Sequence, residues 1–217
     1  MIQHQGVWLP DGETHLTAWM TSSGEIVEGK GTYQIRKLRA AVSYCQRFRV
    51  AVDVGGHCGL WSMQLVKRFG HVHAFEPVAA HRECFTRNVG RANFTLHAMA
   101  LGEKDDSVAI HTAPTSSGDS WVSGPGEIPM RTLDSFELED VDFVKLDTEG
   151  HELPILRGGV ETLKRCRPVV IVEQKKGHAQ RFGLGERDAV PFLESLGYRL
   201  AQEMSGDFIM VSPRSAF

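Results

Sequence analysis

The apolar positions of this chain change period along its length, and the change divides it. Over residues 32–47, Ile35, Leu38, Ala41, Val42 and Cys45 recur at helical spacing while Arg36, Lys37, Arg39 and Arg47 fall off that face. This predicts an amphipathic helix with its apolar stripe inward. From residue 50 onward short apolar runs alternate with helical stretches. Val50-Ala51-Val52-Asp53-Val54 ends in Gly55-Gly56 and leads into a helix over 60–69, and Val72-His73-Ala74-Phe75 ends in Glu76-Pro77 and leads into a helix reaching residue 89. Strands follow at 94–100, at 141–146 before Asp147, and at 169–172 before Glu173, with helices at 152–164 and 187–196. Pro154 falls in the first turn of the 152–164 helix, where its missing N–H is tolerated. Strands at 198–202 and 207–211 flank Met204-Ser205-Gly206, a hairpin signal.

Near-continuous apolar strands, each followed by a helix, have no side to show to water. They predict an α/β fold, a doubly wound parallel sheet covered on both faces, to which the last hairpin adds an antiparallel edge. Two stretches depart from this rhythm. Residues 1–31 are polar and glycine-bearing, with scattered Trp8, Trp19 and Met20, and read as an irregular arm or short hairpin laid on the core. Residues 102–133 hold Val108-Ala109-Ile110, a Thr/Ser/Gly/Pro-rich segment and Met130-Arg131-Thr132-Leu133, a β-rich insertion with a mobile loop. The expected division is an arm and helix at 1–48 packed on a domain at 49–217.

Composition narrows the partners. The 217 residues suffice for one well-cored domain, and a formal net charge of -3 gives no electrostatic reason to expect nucleic acid or anionic lipid. The four cysteines lack a Cys-x-x-Cys spacing and read as the reduced thiols of a cytoplasmic protein. No apolar run reaches the length of a membrane span. The ten histidines show no metal-ligand spacing, and His71 and His73 share one face of a strand, at the surface. Trp121 is expected to anchor the insertion loop rather than stack on a sugar. A homo-oligomer stays open.

The candidate chemistry begins at the first strand's end, Asp53-Val54-Gly55-Gly56-His57-Cys58-Gly59. Glycines let the backbone approach a ligand, and the following helix offers free N–H groups. Glu76, ending the second strand, can accept hydrogen bonds from both hydroxyls of a ribose. Together Asp53, Gly55, Gly59 and Glu76 predict an adenosine-bearing cofactor in the crevice beyond the strand ends. A dinucleotide turn wants Gly-x-Gly-x-x-Gly, and His57 stands in the second glycine's place. An acid at Asp53 suits a cationic amino-acid ligand better than a pyrophosphate, so S-adenosylmethionine is favoured over NAD.

At these residues the chain resembles the FkbM family of methyltransferases. The resemblance is carried by the string 52–59, by Phe75-Glu76-Pro77, Ala100-Leu101-Gly102 and Thr132-Leu133-Asp134, and most specifically by Lys145-Leu146-Asp147-Thr148-Glu149-Gly150-His151-Glu152. It implies a Rossmann-like, seven-stranded sheet with a reversed terminal strand. It also implies S-adenosylmethionine held by Asp53, Gly55, Gly59 and Glu76, with the backbone of Gly56 and His57 completing the turn and Met99-Ala100 near the adenine. The implied reaction is methyl transfer, commonly to a hydroxyl of a sugar, glycan or secondary metabolite.

An unactivated hydroxyl must lose its proton as it is methylated, so a base is expected beyond the fourth or fifth strand. Asp147 is placed to border both cofactor and acceptor; Lys145, Asp147 and Glu149 share a face of an extended strand. By one route Asp147, Glu149, His151 or His178 takes the proton directly. By the other, Asp147, Glu173 and Gln174 hold Mg²⁺, which acidifies the hydroxyl. Asp147 and Glu149 could instead cap the next helix, with Lys145 pairing one of them. Two rival functions remain: a nucleic-acid 2′-O-methyltransferase, prompted by Lys145, Asp147, Lys175 and Glu173 as a Lys-Asp-Lys-Glu set in altered order, and a non-catalytic cofactor-binding module. Calorimetry tests the cofactor reading: heat of binding is expected with S-adenosylhomocysteine and none with NADH, and the reverse result defeats it.

Overall fold

The runs rich in valine and isoleucine pair side by side because each is buried on both faces. The computed structural model describes residues 1–113 and 116–213. Numbered along the chain within the large sheet, its strands are β1 (Val50–Val54), β2 (His71–Phe75), β3 (Phe94–His97), β4 (Val141–Leu146), β5 (Val169–Glu173), β6 (Arg199–Met204) and β7 (Asp207–Val211). They form a seven-stranded sheet in the order β6-β7-β5-β4-β1-β2-β3. Every pairing from β5 through β3 is parallel, and β7 runs antiparallel to both β5 and β6. The fold is thus α/β, doubly wound and Rossmann-like. Strand order reverses between β1 and β4, and there the connections leave to opposite faces and a crevice opens at the strands' C-terminal ends.

On one face Val52, Val54, Val144, Leu146 and Val170 meet Ile155, Leu156 and Leu163. On the other, Ala51, Phe143, Val169 and Ile171 meet Leu38, Leu65 and Phe85. The hairpin between β6 and β7 turns at Ser205 and Gly206, with φ of 50° and 85°, the paired left-handed residues of a tight two-residue turn.

Several boundaries differ from the expected ones for local reasons. The helix expected over 32–47 spans Ile35–Val42. That expected over 60–69 contracts to Ser62–Leu65, because bonds such as Gln64 N–H to Trp61 O and Arg68 N–H to Leu65 O tighten its flanks into turns. The expected 152–164 helix is two, Glu152–Arg157 and Val160–Cys166. Gly158 breaks it: Asp134 N–H bonds its carbonyl at 2.9 Å, and a Cβ there would lie 2.0 Å from Gly102 O. The Asp134 carboxylate then accepts Glu161 N–H at 3.0 Å and Thr162 N–H at 2.8 Å, capping the second helix from the insertion.

The strand expected to reach residue 100 stops at His97. Ala100–Leu101 instead starts a separate four-stranded sheet with Ile128–Arg131, Asp106–His111 and Trp121–Pro125. Pro114 and Thr115 of the expected insertion loop, and residues 214–217 of the expected domain, lie outside the described residues. The arm is more regular than its composition suggests. Antiparallel hairpins, Ile2–His4 with Val7–Leu9 and Ile26–Val27 with Lys30–Gly31, flank a helix, His15–Ser23. That helix buries only Leu16 and Met20, too narrow a stripe for periodicity to reveal. Among the described residues no helix is long and apolar enough to cross a membrane.

Asn88 ties arm, helix and glycine turn together. Its Oδ1 accepts Trp8 N–H at 2.7 Å, and its Nδ2 donates to Trp8 O and Cys58 O at 2.8 Å each. Asn88→Ala strands these buried groups, with an expected loss of about 2–3 kcal/mol. Urea unfolding checks it, and a change below about 0.5 kcal/mol contradicts it.

Candidate active site

The crevice lies above the C-terminal ends of β1, β2 and β4, with the arm and the insertion on its rim. His15, Leu16 and Tyr33 line it from the arm, and Ser117 and Trp121 from the insertion. Gly55 has φ of 76°, and a Cβ there would sit 2.0 Å from Asp147 O. Only glycine lets the β1 turn pass so close beneath the β4 loop. Gly56 and the backbone of His57 line the crevice. Gly59 turns away; a Cβ on it would meet Val89 Cγ2 at 2.9 Å, so its bareness serves helix packing.

Glu76 stands on the crevice wall, buried. Its Oε2 accepts His57 N–H at 2.8 Å; its Oε1 accepts Val78 N–H at 2.8 Å and faces His81 Nδ1 at 3.2 Å. Burial alone would raise its pKa, but the bond and charge of His81, with the backbone amides, hold it below the ordinary carboxylate value. It is an anion whose Oε1 is filled by two donors and whose Oε2, with one, keeps accepting capacity. Beyond it Phe75, Met99, Ala100, Leu101 and Ile110 make an apolar wall.

Asp53 is fully buried beneath the turn rather than on the wall. Its Oδ2 accepts the Ser62 hydroxyl at 2.7 Å, and its Oδ1 lies 3.2 Å from Lys145 Nζ. The same ammonium donates to Gly55 O at 3.0 Å and lies 3.6 Å from Asp147 Oδ2. Burial opposes its charge, but the flanking acids, Asp53 foremost, raise its pKa. Lys145 therefore holds the turn and the β4 terminus together as a fixed cation.

The β4 and β5 ends bring Asp147, Glu149 and Glu173 together, with one carboxylate oxygen of each within 4.8 Å of the others. Lys175 Nζ reaches Glu149 Oε1 at 3.1 Å and Glu173 Oε2 at 3.0 Å. Burial and the neighbouring Asp147 charge push Glu173 up to about 10 and Glu149 up to about 7. Burial works against Asp147 too, but Lys145 and Lys175 outweigh it and depress its pKa strongly. Glu149 takes a left-handed φ of 58°, a strained value of the kind that accumulates at functional sites. Its Oε2 lies 2.5 Å from His178 Nδ1 but out of hydrogen-bonding alignment. His151 lines the crevice, 9% exposed and packed on Phe182, with neither ring nitrogen hydrogen-bonded among the described residues. Burial lowers its pKa to about 4.

The expected cation site would compete with a cation already paired to its acids. The Lys175 ammonium lies 3.1 Å from Glu149 Oε1 and 3.0 Å from Glu173 Oε2. Gln174 points elsewhere: its Oε1 accepts Ala189 N–H at 3.1 Å and its Nε2 faces Glu152 Oε2 at 3.3 Å. The capping alternative for Asp147 and Glu149 also gives way: among the described residues no side chain caps the helix Glu152–Arg157, and Glu152 instead braces the loop before it, accepting Thr148 N–H at 2.9 Å and Gly150 N–H at 3.0 Å. Lys145, Asp147, Lys175 and Glu173 do meet in space. Trp121 lies beside His111, with ring centroids 3.9 Å apart, and Arg181 Cζ is 4.3 Å from its centroid.

Two further residues, Glu13 and Ser117, meet at the crevice rim and were not evident from the sequence. Ser117 lies in a polar loop without periodicity, and only the position of Glu13 shortly before a helix offered a signal.

The sequence profile of the family described as Methyltransferase FkbM domain matches residues 53–200. The hexuronic acid methyltransferase AglP of Haloferax volcanii is 27% identical over 143 residues, 62% of this chain and 59% of its own length. A Beauveria bassiana protein named Methyltransferase 1 is 25% identical over 141 residues, 49% of this chain and 57% of its own. The chain therefore spans somewhat under three fifths of these relatives. Among solved structures, a Streptococcus mutans protein described as a methyltransferase, in complex with SAH, has a TM-score of 0.51 at 11% identity, over 82% of this chain and 96% of that one. At that identity the likeness is one of fold.

Removing the Lys145 ammonium leaves Asp53 buried beside an uncompensated site. Lys145→Met is expected to cost about 3–5 kcal/mol, and adding Asp53→Asn should recover part of it. Chemical denaturation of the single and double variants checks this; strictly additive losses would contradict the pairing.

Proposed function

The chain belongs to the FkbM methyltransferase family, and from that premise we propose that it transfers the methyl group of S-adenosylmethionine to a hydroxyl oxygen of a sugar, glycan or secondary metabolite. The observation that carries the reading is the crevice's polarity: an anionic Glu76 stands between an apolar wall and a cluster of titratable side chains. A ribose fits the acid and an adenine fits Phe75, Met99 and Ala100. The backbone of Gly55, Gly56 and His57 borders the amino-acid portion, with Asp147 at the reacting end. Asp53 and Gly59 act from behind the wall. The bound cofactor supplies an electrophilic methyl group on a sulfonium. The hexuronic acid named for the Haloferax relative supports a sugar acceptor.

The base follows from comparing proton affinities. Asp147 is held too acidic to keep a proton, His151 at about 4 is a weak base, and Glu173 at about 10 stays protonated near neutrality. Glu149, at about 7, is matched to the task. Its Oε2 takes the hydroxyl proton as the oxygen–carbon bond forms and the sulfur–carbon bond breaks. His151 orients the acceptor with its free ring nitrogens. Lys145 and Lys175 remain protonated and keep Asp147 ionised beside the positive sulfur.

The meeting of Lys145, Asp147, Lys175 and Glu173 supports a second reading, methylation of a nucleic-acid ribose. Both lysines are driven further toward the ammonium form, which disarms them as bases, and the chain's charge favours no polyanion. A salt-sensitive gel shift with RNA would restore this reading.

Methyl transfer is expected to rise about tenfold per pH unit below 7 and level off above it, because the active form is the ionised Glu149. Glu149→Gln should lower kcat by about 10²–10⁴ and flatten that profile while keeping affinity for S-adenosylhomocysteine. Labelled-cofactor assays on a panel of sugars and phenols supply the readout. Full activity in excess EDTA is expected; loss restored by Mg²⁺ would reinstate the cation route.

A further inference from the structure

The glycine turn is tied to the N-terminal arm by a buried chain of hydrogen bonds. Glu13 precedes the helix His15–Ser23, lies outside the segment matched by the family profile, and is 3% exposed. Its Oε1 accepts Leu16 N–H at 2.7 Å, and its Oε2 accepts Ser117 N–H at 2.6 Å and the Ser117 hydroxyl in a short bond. Ser117 comes from the insertion, and its Oγ lies 2.8 Å from His57 Nε2. With the hydroxyl proton committed to a carboxylate, the imidazole must be the donor to Oγ, which fixes His57 as its Nε2–H tautomer. The backbone N–H of the same His57 donates to Glu76 Oε2 at 2.8 Å. The run of bonds thus begins at one buried carboxylate, in the arm, and ends at another, on the crevice wall.

Two features distinguish this from ordinary packing. An apolar residue at position 13 would seat the arm without the cost of burying an anion; a carboxylate is useful there because Ser117 presents it with two donors. His57 also holds a left-handed φ of 48° in a turn otherwise rich in glycine, a strain that glycine would avoid. What histidine adds is the ring, wedged edge-on against His81 with centroids 4.5 Å apart and bonded to Ser117.

We propose that Glu13 is a positioning residue for the cofactor, acting through Ser117 and His57 to hold the glycine turn against Glu76, so that the arm and the insertion belong to the cofactor-binding unit. This rests on the cofactor reading above. The burial that keeps His57 neutral is consistent with its donor role, because the relay needs one ring proton on Nε2 and no second.

Calorimetric titration of the full chain with S-adenosylhomocysteine tests the relay. Ser117→Ala and Glu13→Gln are each expected to weaken binding about five- to tenfold, the loss of one bond in a buried network, and Ser117→Thr, which restores the hydroxyl, to recover it within about threefold. His57→Gly is the sharper variant. It relieves the strained backbone, so a local account expects equal or tighter binding, whereas the relay requires weaker binding. Thermal unfolding of the ligand-free Ser117→Ala protein should still show it fully folded at the titration temperature, so that the weaker binding is read on the folded state. If wild type binds the ligand and both Ser117→Ala and His57→Gly match it within twofold, the relay is overturned and the cofactor reading stands. If wild type itself does not bind, the cofactor reading fails and the relay falls with it.

Discussion

The site depends on one ammonium buried where β1 and β4 run side by side. An open α/β sheet leaves a crevice at this switch point, but two strand ends and a glycine turn do not hold their spacing unaided. Lys145 spans them, facing Asp53 beneath the turn, the Gly55 carbonyl within it and Asp147 at the β4 terminus. Each partner would be costly to bury alone, and the lysine would be costly to bury without them. Because the ammonium is matched from three directions, the close pass of Gly55 under the Asp147 carbonyl can be maintained. That pass brings the turn's backbone and the acid cluster to one crevice.

The same fixed charge sorts the carboxylates. Asp147 lies next to Lys145 and within the field of Lys175, and stays ionised. Once it is ionised, Glu149 and Glu173, buried close by, cannot both join it without crowding like charges, and their proton affinities climb to different heights. Three similar side chains thereby acquire three protonation habits. A divalent cation would erase that differentiation by stabilising all three anions together, and would have to displace Lys175 from Glu149 and Glu173 to do so.

Much of this was legible because the physics is local or periodic. Apolar runs such as 50–54 and 141–146 have no solvent face to hide, so the strands and their parallel pairing could be read directly, as could the glycine turn, Glu76 and the acid string after β4. What stayed hidden shares a cause: it depended on partners distant in sequence. Asp53 was legible by its place at a strand end, but its pairing with Lys145, far along the chain, was not. Gly59 was legible by its place in the turn, but the contact that a Cβ there would make with Val89 and Phe85 was not. Gln174 looked like a cation ligand until the helix at Ala189 took its carbonyl oxygen. The helix expected over 152–164 broke where the insertion returns to Gly158, a docking that no periodicity encodes.

The acceptor is hard to read from sequence for a related reason. Residues proposed to meet the cofactor are carried on strands and their immediate turns, where spacing along the chain is spacing in space. Residues that complete the rim, Glu13, Tyr33, Ser117 and Trp121 among them, come from the arm and the insertion, whose polar, turn-rich sequences carry no period and whose positions are set only by contact. Through Ser117, Glu13 reaches His57, so these segments are not a passive fringe around a finished site. Both line the opening of the crevice, and a hydrogen-bonded path runs from them to Glu76. The arm and insertion can therefore differ in sequence without disturbing the sheet, while the buried bonds of Ser117 to Glu13 and His57 bind the two segments to the glycine turn.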